Sequence, residues 1–165
     1  MSDNPRIDEI RESVRNSYEE VTRMLDGDLA TLDPDKLYRS PDGSEWTIME
    51  NLAHITEIMP YWGNEAAKLV AAPGQKFGRT MEDANRLKAI SDHGADRLNQ
   101  VKAALPGSYS QLDEVLSKLK DSDLALTGVH SKFGEKPLDW FIHEFITNHL
   151  KNHLNQLRSC LNVVK

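Results

Sequence analysis

The run PLDWFIHEFITNHLKNHLNQLRSCLNVVK, residues 137–165, decides how this chain is read. Pro137 suits a helix start, because its ring presets the backbone and the first helical N–H needs no acceptor. Beyond it, Phe141, Ile142, Phe145, Ile146, Leu157 and Cys160 recur in helical phase and mark one apolar face. His149 and His153 fall in the middle of that arc, with Ile142 one heptad before the first and Ile146 one heptad before the second. A buried imidazole must satisfy both ring nitrogens, so two of them one turn apart on a core face need a partner they can share. A metal ion is such a partner. Side chains at i and i+4 differ by about 40° in azimuth and about 6 Å in height, so both rings can reach one ion at about 2.0–2.1 Å.

Working outward, the rest of the chain also reads as helix. Asn4-Pro5 marks an N-cap and first helical position, and Ile7, Ile10, Val14, Tyr18, Val21 and Leu25 continue helix one to the Asp33-Pro34 turn. Residues 31–45 form a polar connection. Thr47 with Glu50 makes a capping box that opens helix two, carrying Ile48, Leu52, Ile55, Met59, Trp62, Ala66 and Leu69, and Pro73-Gly74 stops it. Thr80 with Asp83 offers the next cap, for a helix three through Ala84, Leu87, Ile90, Gly94, Leu98, Val101 and Leu105 to Pro106-Gly107. A short amphipathic piece, Leu112 to Leu119, follows; residues 120–136 read as irregular, and nothing alternates like a strand. The expectation is one all-α domain over residues 1–165, a bundle of four long helices and one short one.

His54 lies at the flank of the apolar arc of helix two, beside Ile58 and Tyr61, where it can face a groove between helices and supply a third ligand. Periodicity does not establish that helices two and four are neighbours. Three histidines without a fourth protein ligand would leave an open position, the arrangement of a catalytic more than a structural ion. Competing motifs fail on residues: His143-Glu144 begins like HExxH but position 147 is Thr, and the positions three before His54, His149 and His153 hold Asn51, Ile146 and Leu150, not the Glu of a di-iron bundle. Glu57 and Gln156, each about one turn from a candidate ligand, can orient a ring, though exposed helix positions are the ordinary reading of both. His93, His130 and His143 read as surface or boundary residues, and Cys160 as a small buried hydrophobe.

Bulk properties narrow the partners. A chain of 165 residues can bury a core without staples, and its one cysteine excludes an internal disulfide framework. With Lys+Arg 20 against Asp+Glu 26, the net charge of −6 and the absence of a basic run argue against nucleic acid. The start is polar and acidic, and no run of about 18 apolar residues occurs, so no membrane partner is expected and the chain reads as soluble and cytoplasmic.

The Trp46-Thr47 helix start followed by His54 in Leu-Ala-His, the Phe133-Gly134 approach to the last helix, and the run His149-Leu-Lys-Asn-His153-Leu-Asn-Gln156-Leu157 together resemble the DinB-like (YfiT-like) superfamily of metal-dependent bundle enzymes. The resemblance implies a four-helix bundle with one long crossover, and one divalent transition metal (zinc, nickel or iron, with copper also suited to imidazole) on His54, His149 and His153. It also implies a homodimer, for which Trp62 and Trp140 offer apolar surface. Proteins it resembles include bacillithiol S-transferases, mycothiol-dependent isomerases and the thiol-binding domain of sulfoxide synthases. The expected function is therefore a small-thiol S-transferase acting on a small-molecule substrate with a low-molecular-weight thiol cosubstrate. Metal-dependent hydrolysis, or a non-catalytic metal-binding module associated with stress, are the alternatives. Arg79, Arg86 and Lys132 are the cations available to an anionic thiol, but the sequence leaves them distant from the histidines.

Overall fold

The computed structural model describes residues 1–165 and shows an all-α bundle with one small hairpin. In chain order the elements are α1 (Pro5–Asp26), α2 (Asp28–Thr31), a 3-10 turn (Pro34–Tyr38), α3 (Ile48–Ala71), α4 (Ala84–His93), α5 (Leu98–Lys118), a second 3-10 turn (Asp121–Ala125), β1 (Thr127–His130), β2 (Gly134–Pro137), α6 (Leu138–Ile142), a π turn (His143–Thr147) and α7 (Asn148–Val164). The long helices are α1, α3, α5 and the continuous rod made by α6, the π turn and α7. α3 packs against α5, α4 and α7, and α1 against α5 and α7, around one apolar core. No helix is long and apolar enough to cross a membrane.

The capping box forms as read: Glu50 N–H donates to Thr47 Oγ1 at 3.0 Å and Thr47 N–H to Glu50 Oε1 at 3.1 Å. At the start of α1 the cap comes from elsewhere. The Asp121 carboxylate accepts the Arg6 and Ile7 N–H groups, while Asn4 Oδ1 accepts from Asp121 N–H, so two chain segments cap each other. At α4 the cap is Asp83, which accepts from Asn85 and Arg86 N–H; Thr80 takes no part as a side chain.

Two expectations about the middle of the chain are overturned. Helix three is two helices, because the chain breaks at Gly94, where a Cβ would stand 2.9 Å from Glu50 Cγ and 2.7 Å from the Ile90 carbonyl. The second of them, α5, runs straight through Pro106-Gly107 and absorbs the short piece expected at Leu112 to Leu119. A proline inside a helix costs about 3 kcal/mol. Beyond it, however, α5 buries Leu112 and Leu116 completely against the bundle, each burial being worth about 1.5–3 kcal/mol, so packing outweighs the break.

Residues 120–136 are likewise not irregular. β1 pairs antiparallel with β2, Thr127 opposite Pro137 and His130 opposite Gly134, around a three-residue loop that ends on Gly134 at φ +75°. The segment before α4 is stitched to this hairpin by Phe77 N–H to the Val129 carbonyl at 2.9 Å and Val129 N–H to the Gln75 carbonyl at 3.0 Å. Gly78, at φ +81°, lets that segment pass within reach of Trp62 and His130, where a Cβ would sit 3.0 Å from either ring. Trp62 is buried between Phe77 and Phe145, and Trp140 is half-buried against Phe133 and Phe141, so neither is left as a bare apolar surface.

Candidate metal centre

His54, His149 and His153 come together between α3 and α7. The capping box fixes where α3 begins, and two turns later His54 points inward with no exposed surface at all. It lies deeper than the flank position inferred from periodicity. His153 is buried and His149 half-buried on the facing helix. Ring centroids are 4.3 Å apart for His54 and His153, 4.6 Å for His149 and His153, and 5.2 Å for His54 and His149. One nitrogen from each ring lies within 4.8 Å of the other two.

The hydrogen bonds select which nitrogens face inward. His149 Nδ1 lies 3.3 Å from the Phe145 carbonyl and His153 Nδ1 lies 3.1 Å from Gln156 Oε1, so each carries its proton at Nδ1 and turns the Nε2 lone pair inward. Phe145 belongs to the π turn, a widened stretch of helix of the kind that recurs at functional sites. His54 Nε2 stands 3.3 Å from His149 Nε2. Two ligands about 2.0–2.1 Å from a tetrahedral ion are about 3.3–3.4 Å apart, so this pair has coordination spacing, while the set of three lies within 4.8 Å. His54 Nδ1 is buried and has no hydrogen-bond partner; Glu57 Oε2 is 4.0 Å away. Three converging imidazoles, two of them with the outer N–H engaged, are compatible with a bound metal ion.

Burial keeps these rings neutral. It is the largest cause of the fall of His54 to about 2, with His153 and His149 adding repulsion; it also takes His153 to about 3 and His149 to about 4. Above about pH 6.5 the rings are neutral whether the chain is folded or not, and their contribution to stability is fully present. Below that, the unfolded chain takes up protons that the folded chain refuses until its own low values are reached. Metal-free protein should therefore lose stability as pH falls from about 7 to about 5, each ring contributing up to about 1.4 kcal/mol per pH unit. Urea unfolding midpoints across that range measure it, and a flat profile would contradict buried neutral imidazoles.

The cluster forms one wall of a cavity of about 950 Å³. Trp46 lies flat against His153, with centroids 5.7 Å apart, and meets His54 edge-on at 5.0 Å. Trp62, Phe133 and Phe145 supply an aromatic wall. Arg79, Arg86 and Lys132, distant in sequence, all line the same cavity. Arg86 donates Nη1 to the Met81 carbonyl and has no carboxylate partner, and its charge helps to depress all three histidines. Cys160 also lines the cavity but is buried, directs Sγ toward the Trp46 carbonyl at 3.7 Å, and has its thiol pushed up by burial.

His130 is a correction. It is buried, not at a boundary: Nδ1 accepts from Lys132 N–H at 3.0 Å, and Nε2 stands 3.3 Å from the Arg79 carbonyl. It thereby ties the hairpin loop to the arginine segment. His93 and His143 do lie outward, paired with Asp96 and Asp139. Glu57 is only partly exposed and carries the Arg79 guanidinium, against the reading of it as an ordinary surface glutamate.

A family model described as the DinB superfamily matches residues 17–157. No curated protein matches the chain.

Proposed function

The chain belongs to the DinB superfamily, and from that premise and the imidazole cluster we propose a metal-dependent S-transferase that joins a low-molecular-weight thiol to a small electrophile. His54, His149 and His153 would hold one divalent transition ion. The observation that carries the reading is an open three-nitrogen set sharing one cavity with cationic side chains, of which Arg86 has no carboxylate partner. An ion in such a set supplies Lewis acidity, lowering the pKa of a thiol or a water at its open position toward neutrality.

The remaining work falls to the chain. A cavity of about 950 Å³ is at the upper end of what one ligand needs, leaving room for two small molecules side by side. Arg86 and Lys132 attract the anionic groups of a thiol cosubstrate, and Trp62, Phe133 and Phe145 exclude water from the apolar part of the electrophile. In the transfer a sulfur–carbon bond forms while the electrophile's leaving group departs with its bonding pair, and the thiol proton passes to solvent. Holding both reactants in one cavity converts a bimolecular encounter into a positioned one.

The test is conjugation of bacillithiol, mycothiol and glutathione to a soft electrophile by metal-loaded and metal-free protein. Acceleration only in the loaded protein supports the proposal. Arg86→Ala should raise KM for the anionic thiol about tenfold while leaving kcat nearly unchanged, since it removes a binding charge and no reacting group. Inactivity with every thiol, together with cleavage of esters or amides, would make water the nucleophile. A loaded protein with neither activity would be a binding module.

A further inference from the structure

Two buried nitrogens in this structure have no hydrogen-bond partner, and one carboxylate stands by both. His54 Nδ1 and Arg79 Nε are each sealed from solvent without a hydrogen bond. Glu57, one turn after His54 on α3, places both oxygens on a single nitrogen of Arg79, Oε1 at 2.5 Å and Oε2 at 2.7 Å from Nη2. Oε2 is at the same time 4.0 Å from His54 Nδ1. A carboxylate offers about four lone-pair sites, and Glu57 places its contacts on one nitrogen while the nitrogens on either side go unmet.

The arginine is itself firmly placed. Its guanidinium lies 3.7 Å from the centroid of the Tyr61 ring, its carbonyl meets the buried His130, and the positive φ of the preceding Gly78 lets the backbone pass close to Trp62. Only 8% of the Arg79 side chain is exposed, so the guanidinium works as a fixed abutment for the carboxylate. The distance from Glu57 to His54 exceeds a hydrogen bond by about 1 Å, which rotation about the glutamate's own side-chain bonds can close.

We propose that Glu57, aimed by Arg79, is the positioning residue of the imidazole cluster, accepting the Nδ1 proton of His54 and so fixing that ring with Nε2 toward His149 and His153. This completes a pattern the other two rings already show, His149 through the Phe145 carbonyl and His153 through Gln156. The inference rests on the proposed metal site, because only an ion on Nε2 requires all three rings to carry their protons at Nδ1.

The experiment is zinc titration against a competing chelator, with nitrogen-15 NMR of the histidine rings in the zinc-loaded protein. Wild type is expected to bind one zinc and to show a protonated, downfield-shifted Nδ1–H on His54. Glu57→Gln is expected to bind zinc about tenfold to a hundredfold more weakly and to move that proton upfield; its metal-free unfolding midpoint falls as well, because the buried Arg79 loses its counter-charge, so affinity and the His54 proton are the deciding readouts. A role in packing alone would lower the midpoint and leave the His54 proton where it was. Equal zinc affinity in Glu57→Gln, or an unprotonated His54 Nδ1 in loaded wild type, overturns the inference while the metal site stands. Wild type that binds no zinc or other divalent transition ion overturns the metal site and the inference with it. Because the NMR reading is taken on wild type, an unprotonated His54 Nδ1 overturns the inference even if the variant fails to fold.

Discussion

If the proposed site holds its ion, replacing His149 with alanine should take metal content from one ion per chain to nearly none. The three nitrogens lie within 4.8 Å of one another, so removing one leaves two ligands and a wider opening to water. Loss of an outer hydrogen-bond partner alone typically weakens such sites by about 10–100-fold, and loss of a ligand should exceed that. His149 is the best of the three to replace because it is half-buried, whereas His54 has no exposed surface and its truncation would leave a void in the core. The measurement is elemental analysis of protein purified without an affinity tag. His93→Ala and His143→Ala serve as controls, since both rings lie outward and should keep full occupancy. Full occupancy in His149→Ala would remove the site assignment.

The first two long helices and the last are the most legible in the sequence because each carries a strong local signal. The capping box at Thr47 and the apolar stripes of α1 and α3 are set by contacts three and four residues apart, which a sequence displays directly. His149 and His153 belong to the same class of signal; the burial of His153 bears out its placement on the core face, while His149 is half-buried. That His54 meets them depends on α3 packing against α7, a relation between residues 95 apart that no local spacing encodes.

The misreadings have equally definite causes. Pro106-Gly107 is a strong stop by local rules, but the apolar surface beyond it recovers more than the break costs. Gly94 caps α4 where Glu50 stands too close for a Cβ, a constraint that belongs to another helix. The hairpin has only four residues in each strand, too few for alternation to show, and it is also held by a segment some fifty residues earlier, through Gln75 and Phe77. This hairpin buries His130, and its partner segment brings Arg79 to the cavity; Arg86 then arrives on α4. The π turn adds one residue to a helix that strict 100° phasing treats as uniform, and it includes Phe145, whose carbonyl orients His149.

On the proposed mechanism Cys160→Ser should retain S-transferase activity and His153→Ala should lose it, by more than about 100-fold in kcat/KM with the best thiol of the panel. The two side chains line one cavity, and each offers a different origin for the nucleophile. If the protein's own thiol attacked, it would need an accessible setting that favours thiolate, but Cys160 is buried and desolvation pushes its thiol up, away from thiolate. His153 belongs to the converging set, with Nδ1 already engaged by Gln156, so its truncation opens the ligand set and leaves the Trp46 ring without the surface it stacks on. Some of the loss in His153→Ala could then come from a displaced Trp46. His153→Gln separates the causes, because it fills the same volume and supports Trp46 yet lacks the imidazole nitrogen; it should be as inactive as the alanine variant. Activity kept in both His153 variants and lost in Cys160→Ser would move the nucleophile onto the protein. Activity restored by glutamine would reduce His153 to a packing role beneath Trp46.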